Sequence, residues 1–190
     1  MGLLCGLLIV GITRGGESDA HLKSWPATAT IRFAATSTLH DFGGELSAQP
    51  FTLLISNGNW SAEADVLAGQ MKTANEKRDR SMYQMMDTNN HPRLHGIVAW
   101  TPIPTAVGTN VTLNLTIRES KADLPVRVTD WKETAEEIRF HAAWEVSLKQ
   151  FALKPPSVLG VIRVGDRVKL NADITAKKAN PPPAISIQQP

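Results

Sequence analysis

Cysteine is almost absent from this sequence: Cys5 is the single one in 190 residues. That excludes an internal disulfide and any cysteine-built metal cage, so stability has to come from burial. Charge of one sign is lacking too. Twenty Lys and Arg face 18 Asp and Glu, for a formal net charge of +2, and the two signs are interspersed. No basic stripe of the kind nucleic acid requires results. The apolar run from Leu3 to Ile12 is too short to span a bilayer. There is no HExxH pattern and no nucleophile elbow, so neither a zincin site nor an α/β-hydrolase site can be identified. Nor is there a βαβ rhythm or an internal repeat, which excludes a parallel α/β sheet and a solenoid.

A hydrophobic fraction of 42% with 20% charged residues is enough to bury one substantial core. We therefore expect one domain, residues 21–176. The run from Leu3 to Ile12 suits the apolar region of a secretory signal, and Ser18-Asp19-Ala20 offers a small residue at each cleavage-defining place. Residues 1–20 are thus expected to be a signal peptide and the mature protein to be periplasmic or secreted. Cys5 fits a lipoprotein anchor poorly, because Leu4 before it is larger than the usual Gly, Ala or Ser. At the other end, residues 177–190 carry three consecutive prolines and cannot pair in a sheet, so an extended or disordered tail is expected.

Between these ends the dominant signal is alternation. Ala29, Ile31, Phe33 and Ala35 share one face. Phe51, Leu53 and Ile55 continue the pattern, Asn57-Gly58 marks a hairpin turn, and Trp60, Ala62, Ala64 and Val66 return. Further strands are read from Leu94, Gly96, Val98 and Trp100; from Val111, Leu113, Leu115 and Ile117; from Leu124 to Thr129; from Ile138, Phe140, Ala142, Trp144 and Val146; and from Val168, Leu170, Ala172 and Ile174. Gly43-Gly44 is read as a bend or bulge between extended pieces. About eight or nine strands with one apolar face each fold as a sandwich or close into a barrel. The presumed inner faces mix large residues with small ones, a pattern that fits either a tunnel or tight packing.

One stretch breaks this pattern. Met71 to Gly96 reads as a short helix: Thr73 and Glu76 fit a capping box, and Met82, Met85 and Met86 fall on one face beside Tyr83. Arg78 and Asp79 lie near its start, where they pin the helix by an ion pair or amide contacts, or where Arg78 meets a polar head group. His91-Pro92 ends the segment.

Four segments in order, STLHDFGG (Ser37 to Gly44), MKTANEKRDRSM (Met71 to Met82) with Pro92 after it, and FALKPPSVLGVIRVGDRVKL (Phe151 to Leu170), make the chain resemble the YceI-like family over roughly Ala27 to Thr175. The resemblance implies an all-β, antiparallel, lipocalin-like β-barrel of about eight strands with a short helical insertion. It implies export, and a polyisoprenoid or isoprenoid quinone as the bound lipid, with no cofactor required, no catalysis and at most transient membrane contact. The chain departs from the family where it has Met85 and Met86 in place of a frequent aromatic pair, and where RESKADLP lacks a glycine.

On that reading the ligand would lie against Ile31, Phe33, Leu53, Trp60, Val66, Met82, Met85, Met86, Val98, Trp100, Leu113, Leu115, Phe140, Trp144 and Leu170. Arg78 and Asp79 stand at the mouth, and Phe151, Leu153 and Pro155-Pro156 form a second rim. Two other classes remain open. One is a metal- or haem-assisted envelope redox protein, for which His91, His95 and His40-Asp41 are the candidates, although no clustered pair supports it. The other is an interaction module with a fully packed interior. Ser37, His40 and Asp41 lie too close in one segment to be identified as a triad.

Overall fold

The computed structural model describes residues 22–155 and 163–178. Readings that fall on residues 1–21, on Pro156 or on the tail beyond Lys178 lie outside the described residues. Nine strands and one α-helix follow in the order β1 (Lys23–Ser37), β2 (Phe42–Ser47), β3 (Phe51–Ser56), β4 (Asn59–Leu67), α1 (Glu76–Met86), β5 (Arg93–Pro102), β6 (Thr109–Ile117), β7 (Ser120–Glu133), β8 (Glu137–Ser147) and β9 (Val164–Lys177). Every pairing is antiparallel, and β1 also pairs with β9, so the sheet closes on itself. The strands β2 and β3 both lie along one edge of β1, against Thr30 to Ala35 and Lys23 to Ala27 respectively. They act as one stave interrupted at Ala48 to Pro50, and nine strands therefore make an eight-stave barrel. A closed sheet leaves no edge and presents one face of each strand to a common interior.

The alternation sets that interior. Ala27, Ala29, Phe33 and Ala35 are buried on β1, Ile31 between them also faces in, and the alternate residues Thr28, Thr30, Arg32 and Ala34 face out. Asn57 and Gly58 both take positive φ, at 50° and 71°, and close the two-residue β3–β4 hairpin. Gly43 and Gly44, however, do not form a bend. Both lie within β2, and a Cβ on Gly44 would come within 2.1 Å of the Lys72 carbonyl and 2.4 Å of the Phe33 ring. That glycine is needed because backbone and ring pack where its side chain would be.

The register shifts at three places, between Ala35 and Ser37 at the end of β1 and at two β-bulges, each of which moves a tryptophan. Trp60 pairs with Thr101 but Ala62 pairs with Val98, so β5 carries one extra residue between them. Thr101 takes the place opposite Trp60, and Trp100 is turned outward, 52% exposed. Sequence periodicity had put it inside. In β7, Thr129 pairs with His141 and Lys132 with Arg139, again one residue too many, with Asp130 at φ 57°. This bulge turns Trp131 inward, where it stacks on Phe140 at 4.8 Å between centroids and meets Trp60 at 5.5 Å.

Candidate functional site: an apolar lumen under a helical cap

The strand order places the two ends of the barrel differently. At the end holding the β3–β4 and β7–β8 turns, Trp25, Leu53, Ile55, Trp60, Ile138 and Phe140 are all buried, and Trp131 packs among them. At the opposite end a second cluster joins α1 to the segment after β8: Met86, Met71, Leu148, Phe151 and Leu153 are buried together with Phe33 and Leu46. Both proposed rims therefore close the same end. Between the clusters the inward side chains Ile31, Val66, Leu94, Val98, Leu113, Leu115, Trp144 and Leu170 are only half-buried although they point to the barrel axis. The middle of the barrel is an open lumen of about 290 Å³.

Of the residues named from sequence for the inner face, Ile31, Phe33, Trp60, Val66, Met82, Met85, Met86, Val98, Leu113, Leu115, Phe140, Trp144 and Leu170 line this lumen. Two do not. Leu53 faces inward but is wholly buried in the closed end, and Trp100 is outside because of the bulge. Reading the sequence missed Phe42, Leu46, Phe51 and Met71, which also line the lumen, and Trp131, which floors it. Phe51 was on the apolar face that periodicity picked out; the bulged Trp131 carried no periodic signal.

The cap is built from α1. Its N-cap is Asn75, whose Oδ1 accepts from the Arg78 amide at 3.0 Å, so the Thr73–Glu76 capping box does not form. Thr73 is occupied elsewhere: its amide and hydroxyl both donate to Asp79 Oδ1, at 2.9 and 2.6 Å. Asp79 is buried at 6% exposure, and this pair of bonds ties the helix to the chain leading into it. Tyr83 donates its hydroxyl to the Met71 carbonyl at 2.6 Å. The helix stops at Asp87, in the left-handed region at φ 51°. On the facing segment, Asp166 accepts the Lys149 amide at 2.8 Å and the Ser147 hydroxyl at 2.7 Å, fixing the 3-10 turn that carries Phe151. Those two donors hold the Asp166 carboxyl below the usual carboxylate range.

Arg78 and Asp79, read from sequence as a pair that pins the helix or with Arg78 alone turned to a polar head group, have different surroundings. Asp79 is turned to Thr73, whereas Arg78 lines the lumen with its guanidinium 4.3 Å from the Phe42 ring centroid. Among the described lining residues it alone is charged. Trp60 and Trp144 add indole N–H groups that are buried without a protein acceptor.

The histidines are dispersed over separate carboxylates. His95 sits 2.9 Å from Asp65, His141 3.1 Å from Asp173, and His91 3.9 Å from Asp87. Among the described residues no three His, Cys, Asp or Glu side chains are placed to share a metal. Ser37 Oγ donates to the backbone carbonyl of His40 rather than to its ring.

A family model for the YceI-like domain matches residues 17–176. No curated protein matches the chain. Solved structures share its fold, among them the following three. A polyisoprenoid binding domain from Saccharophagus degradans, implicated in plant cell wall breakdown, superposes with a TM-score of 0.64 at 12% identity, over 84% of this chain and 100% of that one. BcnA of Burkholderia cenocepacia gives 0.62 at 16% identity, over 78% and 96%. The YCEI protein of Campylobacter jejuni gives 0.52 at 16% identity, over 66% and 75%.

Proposed function

The chain belongs to the YceI-like family, and from that premise we propose that it is an exported, non-enzymatic binding protein whose barrel shields one long apolar chain, a polyisoprenoid or the tail of an isoprenoid quinone. The observation that carries this reading is the half-buried state of the mid-barrel side chains between two well-packed ends. A filled core would bury them. Ligand pockets run from about 300 to 1,000 Å³, and a lumen of about 290 Å³ at the lower edge suits a single slender chain rather than a bulky ring system.

The lining is suited to the task. Each methylene-sized group taken from water contributes about 0.8 kcal/mol, so ten of them supply on the order of 8 kcal/mol before the costs of association. Met82, Met85 and Met86 cover one end with unbranched, adaptable side chains. In this reading the cap opens to admit the chain, and contact with a membrane is transient. The name of the Saccharophagus domain, which speaks of polyisoprenoid binding, agrees with such a ligand. The apolar run from Leu3 to Ile12 supports export.

Native mass spectrometry of the protein, purified from its own compartment and followed by organic extraction, tests the proposal. An adduct whose mass steps by isoprene units is expected. A protein that always emerges bare and takes up no prenyl chain when offered one would contradict it.

A further inference from the structure

On the outer wall of the barrel, away from the lumen, we infer a second binding site: a hollow that takes a neutral oligosaccharide of pyranose rings, with Trp100 as its stacking platform. This site is independent of what the lumen holds. The strand register builds it from the outward faces of β3, β4 and β5. Leu54 pairs with Ser61, which lies opposite the bulge that carries Ala99 and Trp100. One row nearer the cap stand Thr52, Glu63 and Ile97, and beyond them Asp65 and His95, with the Gln49 amide donating to the Asp65 carbonyl. These rows border a hollow of about 650 Å³, within the size range of small-molecule sites. Leu54 and Ile97 are half-buried in it although neither lines the lumen, and Trp100 stands beside them 52% exposed. Bulges re-aim side chains at binding sites, and this one delivers the indole to the edge of a concave surface.

The chemistry of the hollow selects its ligand. Charge is present but paired internally: Arg93 donates to Asp65 at 2.9 Å, and His95 lies between Asp65 at 2.9 Å and Glu63 at 3.4 Å. His95 foremost, and Arg93 with it, hold the Asp65 carboxyl below the usual carboxylate range. A strongly charged ligand would have to break up this set. Gln49, Thr52 and Ser61 add amide and hydroxyl groups, and among the described residues no protein partner is found for these three side chains. A bilayer does not follow a concave surface and would strip water from the charged groups. A peptide strand cannot add here, because β4 is already paired along both edges. What fits is a molecule with apolar C–H faces and hydroxyl rims. A pyranose lays one face on the Trp100 indole, with Leu54 and Ile97 beneath its C–H groups, while its hydroxyls exchange hydrogen bonds with the side chains of Thr52, Ser61 and Glu63.

Calorimetric titration of the full chain with neutral oligosaccharides of β-linked glucose, xylose and N-acetylglucosamine, beside a uronate series, tests the site. At least one neutral series is expected to bind, more tightly as rings are added until the hollow is filled, and with an affinity that salt leaves unchanged. Trp100→Ala should weaken it about 30-fold or more, the effect of losing a central aromatic anchor. Trp100→Phe, a smaller platform, should keep part of the affinity. Ile97→Lys, which puts a long charged side chain into the hollow, should abolish binding. Circular dichroism checks that each variant folds. Failure of every neutral series to bind at millimolar concentration would overturn the inference and leave the carrier reading standing, as would binding untouched by both Trp100→Ala and Ile97→Lys. Binding of the uronates alone, lost as salt is raised, would overturn it too, since it would mark Arg93 as the recognising group. Should Trp100→Ala fail to fold, Trp100→Phe and Ile97→Lys still decide.

Discussion

Replacing Ala64 by leucine distinguishes an open lumen from a filled core by the sign of its effect. Ala64 is half-buried, lines the lumen and pairs across β4 and β5 with Gly96, so the wall at this level carries almost no side chain. Gly96 itself is a poor choice, because a Cβ there would lie 3.2 Å from Leu113 Cδ1. Leucine at position 64 adds three carbons. If they enter open space, their burial contributes about 2.4 kcal/mol at 0.8 kcal/mol per group, less about 0.5–1 kcal/mol for the rotamers lost. The empty protein should then gain about 1.5 kcal/mol. In a packed interior the same carbons would overcrowd their neighbours and cost about 1–3 kcal/mol. Ligand affinity moves the other way. Excluding about three carbons of the bound chain forfeits about 2.4 kcal/mol, a loss of roughly 60-fold. Urea unfolding of delipidated protein gives the first quantity, with an unchanged m value as the check that the states compared are the same. Titration with a prenyl chain gives the second. Loss of stability with undiminished affinity would refute the reasoning, since it means that the position is packed and the ligand lies elsewhere.

Two further outcomes follow from the cap. Asp79→Ala should leave the Thr73 amide buried without an acceptor and its hydroxyl with only the Asn75 carbonyl at 3.5 Å, at about 1–3 kcal/mol for the orphaned amide; urea unfolding should show the loss, and Thr73→Val, which removes one donor with its acceptor kept, should show less. Asp166 has a folded pKa below its unfolded value, so the stability it contributes is present above the usual carboxylate range and is lost as pH falls through the lowered value. Asp166→Asn keeps an acceptor for Ser147 or Lys149 but not the charge, and its stability should decline less steeply than that of the unaltered protein below about pH 4, followed by circular dichroism.

How far the sequence could be read depended on whether a residue obeys its own strand's period. On β1, β6 and β9 it does, and there the inner face was legible residue by residue from Ile31 to Leu170. The fold class followed from strand number and one-sided apolarity. Closure was implied only by the family resemblance, because the pairing of β1 with β9 joins residues more than a hundred apart and has no local signature. The cap was half legible. The methionines fell at helical spacing, but the capping motif was assigned to Thr73 when Asn75, two residues on, does that work and frees Thr73 for Asp79.

The tryptophans show where a periodic argument must fail. A single inserted residue inverts every side chain beyond it relative to the pattern before it. Trp100 and Trp131 each sit at such an insertion, one expelled from the barrel and the other drawn in. Asp130 does offer a trace of the second event, since Asp is among the few residues that tolerate the left-handed region a bulge of this kind requires. No comparable marker flags the first: Ala99-Trp100 reads as ordinary strand. The consequence is functional as well as formal. Trp131 completes, with Trp60 and Phe140, the aromatic floor that closes the lumen at the end away from the helix. On the proposed reading, a chain entering under the methionines meets a stop there, and the depth from the cap to that floor sets the length of tail the barrel can cover.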